Sequence, residues 1–270
     1  MQSRAPPLPH LAGLITPART APRVALFVTC LVDLMRPSVG FAAVKLLQAA
    51  GCEVTVPGLQ TCCGQPAYNS GDRASAKELA DLTIRAFEGF DYVIAPSASC
   101  AGMLKVHYPK LFEGDAALQP RAEAFAGRVY ELMSFLVNVR GQTSVPGCHV
   151  GPVAYHDSCA SLREMSMASE ARTLFSAMPG VTLVEMESRE ACCGFGGLFS
   201  VKYDEISDVM VSKKAAAIAA TQAHVLTGPD LGCLMNIAGK LSRQGSHIAC
   251  RHAAELLAGE LDDPPIGAPG

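Results

Sequence analysis

Short apolar runs alternate with longer stretches of helical periodicity in the first half of the chain. Apolar runs of strand length occupy residues 24–28, 53–56 and 92–95. Between them, apolar residues recur at three- and four-residue spacing over 38–50 and 74–87, which is typical of amphipathic helices. This alternation predicts parallel βαβ units with right-handed crossovers.

The same order of elements recurs in the second half. The predicted strands are 153–155, 181–184 and 224–227, and the predicted helices are 169–177 and 205–220. A further helix is expected to close each half, at 130–137 and at 252–258. The predicted fold class is therefore α/β, with two similar βαβ-type halves whose parallel sheets are related by internal duplication.

Glycine and proline cluster between residues 140 and 152, and we place the boundary between the halves there. Proline-rich segments at the two ends of the sequence are expected to be disordered tails. The predicted organisation is a tail at 1–22, a first domain at 23–145, a second domain at 146–260 and a tail at 261–270.

Four cysteines recur in each half at matching intervals. The first cysteine of a set precedes the adjacent pair by 32 positions in the first half and 33 in the second. The last cysteine follows that pair by 37 and 40 positions, respectively. Each set has an adjacent cysteine pair in its middle and ends just after a predicted strand. Because the carboxyl ends of parallel strands meet at one sheet edge, each set is expected to converge there. The two sets are Cys30, Cys62, Cys63 and Cys100, and Cys159, Cys192, Cys193 and Cys233.

Four thiolates suit either Zn²⁺ or an iron–sulfur cluster. Adjacent cysteines fit the more widely spaced corners of a multi-iron cluster better than two corners of one small tetrahedral zinc site. The chain also has no Cys-x-x-Cys knuckle. A zinc site and a set of buried structural thiols remain as alternatives.

Glycines follow both cysteine pairs and are candidate cofactor-binding positions. Glycine lets backbone N–H groups approach a ligand closely, and such donors tune cluster sulfurs. The positions are Gly64, Gly194, Gly196 and Gly197.

Two polar residues just before Cys159 are the candidates for a catalytic role. His156 and Asp157 could form a proton relay or contact a substrate, whereas Asp157 could equally cap the following helix. The first half has Val28 and Thr29 nearby instead, so such chemistry would belong to the second half alone.

Composition excludes several classes of function. The 270-residue chain has a net charge of -3 and no tryptophan, which argues against a nucleic-acid footprint. No apolar run reaches the roughly 18 residues of a membrane span, and residues 1–22 lack the apolar run of a signal peptide. With 11 cysteines and no secretion signal, we expect a cytoplasmic protein with metal or redox chemistry. The 194–197 segment lacks the spacing of a dinucleotide fingerprint.

The segments 61–71, 192–203 and 232–236 resemble the cysteine-rich domain named for its Cys-Cys-Gly motif. That domain occurs twice in the cysteine-rich subunit of heterodisulfide reductase and in the iron–sulfur subunit of glycolate oxidase. Over residues 24 to about 259 the chain resembles above all the lactate-utilization protein A family of (Fe-S) oxidoreductases.

This resemblance implies an iron–sulfur electron-transfer subunit of a complex that oxidises L-lactate, or a similar small 2-hydroxy acid, to pyruvate without NAD. The implied partners are a ferredoxin-like iron–sulfur subunit and a third small subunit, and activity is expected only in the complex. Heterodisulfide reductase has a fifth cysteine in each set, where this chain has Met103 and Asn236. We therefore expect one [4Fe-4S] cluster per half. A cluster-dependent thiol–disulfide reductase and a zinc-stabilised scaffold are the rival functions.

Overall fold

The computed structural model describes residues 21–268, which contain two four-stranded parallel sheets. The strand order is β2-β1-β3-β4 in the first sheet and β6-β5-β7-β8 in the second. The strands are β1 (Arg23–Leu26), β2 (Glu53–Thr55), β3 (Tyr92–Ala95), β4 (Val129–Glu131), β5 (Gly151–Tyr155), β6 (Val181–Val184), β7 (Val225–Gly228) and β8 (Ala249–His252).

Helices follow the strands in both halves, and two short π-helical turns interrupt the first half. The π-helical turns are Met103–His107 and Phe135–Val139. The α-helices are α1 (Cys30–Met35), α2 (Ser38–Ala49), α3 (Gln65–Asn69), α4 (Arg73–Ala86), α5 (Ala98–Gly102), α6 (Tyr108–Leu111), α7 (Gln119–Ala126), α8 (Leu132–Ser134), α9 (Cys159–Arg163), α10 (Glu170–Ser176), α11 (Phe199–Lys202), α12 (Asp204–Ala220), α13 (Leu231–Arg243) and α14 (Ala253–Ala258).

The two sheets have matching registers, which confirms the predicted α/β duplication. Leu26 of β1 lies opposite Ile94 of β3, and Tyr155 of β5 lies opposite Thr227 of β7. In both halves the next residue continues the ladder, because the N–H groups of Phe27 and His156 donate to the carbonyls of those same partners, Ile94 and Thr227. Phe27 and His156 are therefore structurally equivalent positions.

Each half has a fourth strand that the sequence pattern did not predict. Helices were expected from residues 130 and 252, but 129–131 and 249–252 pair with β3 and β7 as β4 and β8. The helices begin only afterwards, at Leu132 and Ala253. Strands of three and four residues are too short to show a period, and pairing with distant partners decides their conformation.

The two halves share one apolar core. Helix α14 packs on α2, and α10 packs on α8, so helices of one half cover helices of the other. The buried side chains that form this core include Leu46 and Phe135 of the first half and Phe175 and Leu257 of the second. Removal of this surface from water holds the halves in one arrangement.

The chain end differs from the disordered tail predicted at 261–270. The Ile266 N–H donates to the Cys250 carbonyl at 2.8 Å and forms an antiparallel bridge to β8. The Ile266 side chain also packs against the core, which gives this segment an apolar contact and a hydrogen bond. The tail predicted at 1–22 lies almost entirely outside the described residues.

Candidate metal centres

The cysteines that follow strands start helices at the carboxyl edges of the two sheets. Cys30 and Cys159 are the first residues of α1 and α9. Cys100 and Cys233 are the third residues of α5 and α13. Thiolates at the first turn of a helix are stabilised by its unpaired N–H groups and by the helix dipole.

Hydroxyl side chains fix the start of three of these helices. Thr29 accepts from the backbone N–H of Val32, and Ser158 accepts from that of Ser161. Ser97 accepts directly from the Cys100 N–H at 3.3 Å. The Thr-Cys and Ser-Cys pairs in the sequence therefore combine a helix cap with a thiol in the first turn.

The four thiols of the first half converge. Cys30 Sγ lies 3.9 Å from Cys62 Sγ, and Cys63 Sγ lies 3.6 Å from Cys100 Sγ. The adjacent cysteines therefore face different partners, and a contact between their own thiols joins the two pairs into one set. Cys63 is buried and the other three are half-buried.

The second half repeats this pairing: Cys192 faces Cys159, and Cys193 faces Cys233. Backbone donors also reach its sulfurs. The Gly194 N–H lies 3.4 Å from Cys192 Sγ, and the Phe195 N–H lies 3.5 Å from Cys193 Sγ. N–H groups directed at thiolate sulfur are the environment that iron–sulfur sites require.

Contacts between the thiols of a set shift their pKa values in opposite directions. Hydrogen bonds from Cys30 and Cys159 lower the pKa of the Cys62 and Cys192 thiols well below their ordinary value. The pKa of the buried Cys63 thiol is raised, first by its contact with Cys100 and also by burial. A bound cation would replace the protons that these closely packed thiols share.

The donor chemistry of each set fits an iron–sulfur cluster. The four soft sulfur donors of each set are half-buried or buried, and Cys192 and Cys193 of the second set receive backbone hydrogen bonds. The 3.6 and 3.9 Å separations in the first set also equal the edge of a tetrahedral ZnS₄ site, about 3.8 Å for a Zn–S bond of about 2.3 Å. Sulfur separation therefore favours zinc in the first set, whereas the donor chemistry suits either metal.

Both Cys-Cys-Gly turns require glycine. Gly64 and Gly194 have φ of 80° and 81°, the left-handed region that disfavours other residues. At Gly194 a Cβ atom would also lie 2.8 Å from the Ser207 carbonyl oxygen. Gly196 and Gly197 have positive φ in the turn that leads to α11, and the Ser200 hydroxyl donates to the Gly197 carbonyl.

Asp157 does not cap the following helix, contrary to one of the two roles considered for it. Ser158 is the cap, and both Asp157 oxygens accept from Arg172, at 3.0 and 2.8 Å. Only 2% of Asp157 is exposed, so Arg172 neutralises a buried charge beside the second set. His156, by contrast, points toward the thiols: a ring nitrogen and the sulfurs of Cys193 and Cys233 all lie within 4.8 Å of one another.

Sequence reasoning missed the side chains that hold the two Cys-Cys-Gly turns. The Tyr108 hydroxyl donates to the Cys63 carbonyl at 3.0 Å, and the Asn236 amide donates to the Cys193 carbonyl at 2.9 Å. Asn236 stands three residues after Cys233, where heterodisulfide reductase has a fifth cysteine. Tyr108 lies 45 positions from its partner, and no local pattern marks it.

A buried lysine supports the turn before Cys192. Lys214 is 1% exposed and donates to the carbonyls of Ser188 and Arg189, at 3.3 and 3.0 Å. Burial lowers its pKa, while the nearby thiols oppose this. It is a cation placed beside the second set.

The two sets lie on either side of the interface between the halves. Helices α5 and α9, which carry Cys100 and Cys159, pack on each other. Helices α1 and α13, which carry Cys30 and Cys233, do the same. The approach of α5 to α9 is close, because a Cβ atom at Gly102 would meet the side chain of Glu164, the residue that follows α9.

Comparison with known proteins identifies the family of this chain. The cysteine-rich domain family named CCG matches residues 24–105 and again residues 153–238. Lactate utilization protein A from Oceanobacillus iheyensis is 43% identical over 235 residues, covering 87% of this chain and 96% of that protein. The chain belongs to the lactate utilization protein A family.

Two further members of the lactate utilization protein A family show the same extent of similarity. The Geobacillus sp. protein is 46% identical over 235 residues, covering 87% of this chain and 98% of that protein. Lactate utilization protein A 2 from Bacillus cereus is 42% identical over 240 residues, covering 89% and 99%. Both cysteine sets of this family member lie within the two matched domains. Over residues 21–268, no helix has the length and apolar character needed to cross a membrane.

Proposed function

We propose that this chain is the iron–sulfur electron-transfer subunit of a complex that oxidises L-lactate, or a similar small 2-hydroxy acid, to pyruvate without NAD. The observation that carries the proposal is the presence of two complete four-thiol sets on either side of one packed interface. The names of the relatives support lactate utilization as the context.

Each half would hold one [4Fe-4S] cluster. Such a cluster, when bound, supplies one-electron transfer. The residues of the chain itself determine its surroundings. Gly194 and Phe195 direct backbone N–H groups at sulfur, and Tyr108 and Asn236 hold the Cys-Cys-Gly turns. The ligands would be Cys30, Cys62, Cys63 and Cys100 in the first half and Cys159, Cys192, Cys193 and Cys233 in the second.

The remaining features of the proposal come from the family resemblance. The partners would be a ferredoxin-like iron–sulfur subunit and a third small subunit, located in the cytoplasm, and activity would require the whole complex. The chain would be divided into cysteine-rich domains at 23–145 and 146–260. The substrate would react elsewhere in the complex, and this chain would carry the electrons.

Metal analysis tests the proposal directly. The protein is purified without oxygen, and iron, acid-labile sulfide and zinc are measured together with an absorption spectrum. We expect about eight irons and about eight sulfides per chain, the content of two four-iron clusters. About four of each would show that only one half is a cluster site. Zinc without sulfide would overturn the redox function.

A cysteine variant tests the ligand assignment. Cys193→Ser should lose about half of the iron and sulfide, because it removes a thiol from the second set alone. Cys148 is exposed and belongs to neither set, so Cys148→Ser is the matched control and should keep the full content. Unchanged iron in Cys193→Ser would contradict the assignment.

A zinc-stabilised scaffold is the second candidate function. It is favoured by the 3.6 and 3.9 Å sulfur separations of the first set, which match a tetrahedral zinc site. It predicts a colourless protein with two zinc ions and no labile sulfide, so the same analysis distinguishes the two candidates.

A further inference from the structure

The two cysteine sets differ at one buried position beside the thiols. His156 follows β5 in the second half, and Phe27 occupies the equivalent position after β1 in the first. Phe27 is fully buried and its ring packs against that of Phe87, with centroids 5.6 Å apart. The duplication therefore places an apolar ring beside the first set and an imidazole beside the second.

The imidazole of His156 has no hydrogen-bond partner among oxygen and nitrogen atoms of the described residues. His156 is 1% exposed, and neither Nδ1 nor Nε2 makes a hydrogen bond. One of the two nitrogens carries a proton in either neutral tautomer. A buried donor without an acceptor is destabilising, so the His156 imidazole needs an acceptor.

The acceptors within reach are sulfurs. A ring nitrogen of His156 and the sulfurs of Cys193 and Cys233 lie within 4.8 Å of one another. The neighbouring carboxylate of Asp157 is occupied on both oxygens by Arg172.

Comparison of the two halves indicates that the His156 imidazole is a hydrogen-bond donor and not a fifth metal ligand. The first set has four thiols and a phenylalanine at this position. Four thiols are therefore a complete ligand set without a contribution from this residue. The second set has the same four thiols in the same pairing. The imidazole is therefore an addition to a complete thiol set.

We propose that His156 donates an N–H hydrogen bond to the Cys233 sulfur and so raises the reduction potential of the second centre above that of the first. The inference rests on the proposed function, since it concerns the cluster held by the second set. A donor to a thiolate withdraws charge from the sulfur and stabilises the reduced state. His156 is thus a positioning and tuning residue that makes the second half the preferred site for the electron.

The experiment replaces the imidazole with the ring found in the first half. His156→Phe and wild type are purified without oxygen and titrated with redox mediators, and the reduced centres are followed by electron paramagnetic resonance. The signals are assigned to each half with Cys63→Ser and Cys193→Ser. We expect the potential of the second centre to fall toward that of the first, while that of the first is unchanged.

A second variant keeps a donor. His156→Gln retains an N–H group, so its second centre should have a potential between those of wild type and His156→Phe. His247 is exposed and lies before β8, at the opposite sheet edge, so His247→Phe is the control and should shift neither potential.

Two results would overturn the inference. One is an unshifted second potential in His156→Phe and His156→Gln with both clusters present. The other is loss of the second cluster from both variants while circular dichroism shows a folded chain, which would make His156 a ligand. Absence of iron and sulfide from wild type would instead overturn the proposed function, and this inference with it.

Discussion

The carboxylate of Asp230 in the second half accepts a 2.7 Å hydrogen bond from the hydroxyl of Ser97 in the first. The same oxygen accepts from the Ser99 N–H at 3.0 Å and from the Ser99 hydroxyl at 2.8 Å. Ser97 caps the helix that carries Cys100, and Asp230 stands at the start of the helix that carries Cys233. One buried carboxylate therefore fixes both cysteine-bearing helices relative to each other.

Asp230→Ala should lower the free energy of unfolding by about 2 kcal/mol, because it removes the acceptor of one buried and two half-buried donors. Asp230→Asn keeps an acceptor oxygen and should cost less. Chemical denaturation of the anaerobically purified protein measures both. Asp262 is exposed, so Asp262→Ala is the control, and an equal loss in that variant would contradict this role of Asp230.

Glu131 should make stability depend on pH. Burial raises its pKa from 4.5 to about 8, and the charges of Asp230 and Glu170 add to the shift. The folded protein therefore keeps the proton between these values, whereas the unfolded chain releases it near pH 4.5. The contribution of Glu131 to the free energy of unfolding is full below pH 4.5 and declines as pH rises to 8, by at most about 1.4 kcal/mol per pH unit.

The Glu131→Gln variant isolates this dependence. It cannot ionise, and its amide oxygen can still accept from the Ser134 N–H, as the carboxylate does at 3.0 Å. Denaturation from pH 5 to 8 should show wild type losing stability relative to the variant. Parallel curves for the two proteins would show that Glu131 does not titrate in this range.

Replacement of Arg172 should lower the free energy of unfolding by more than is usual for a partly exposed arginine. Arg172→Met leaves the buried Asp157 carboxylate unpaired, at a cost of about 3 kcal/mol. Its other partner, Glu185, has a side chain that is 51% exposed, so Glu185→Gln should cost about 0.5 kcal/mol. Denaturation midpoints compare the two variants, and similar losses would refute the pairing argument.

The two Cys-Cys-Gly turns should respond unequally to the same substitution. In Gly64→Ala the new Cβ has no neighbour closer than 3.5 Å, so the cost is the backbone strain of positive φ, about 1–2 kcal/mol. In Gly194→Ala the Cβ meets the Ser207 carbonyl at 2.8 Å as well. Iron and sulfide analysis should therefore show greater metal loss from Gly194→Ala, and equal losses would contradict the packing explanation.

The sequence alone located the elements that create the sites. Apolar runs predicted β1, β3 and β7 closely, because a strand that is buried on both faces has consecutive apolar residues. The following helices were predicted from the three- and four-residue spacing that one buried face produces. The repeated intervals from Cys30 to Cys100 and from Cys159 to Cys233 then implied two similar halves, since parallel strands bring their carboxyl ends to one edge. The apolar runs and the repeated cysteine intervals are local or periodic features, so they can be recognised in the sequence without knowledge of any long-range contact.

Only the tertiary structure decided which residues surround the thiols. Ser97 and Asp230 are 133 positions apart, and Tyr108 is 45 positions from Cys63. Short β4 and β8, the Asp157–Arg172 pair and the burial of His156 likewise depend on distant partners. The physical reason is that these hydrogen bonds and strand pairings form only when the chain folds around its apolar core. An apolar pattern in the sequence indicates which residues are buried, but it does not identify the residues that they contact.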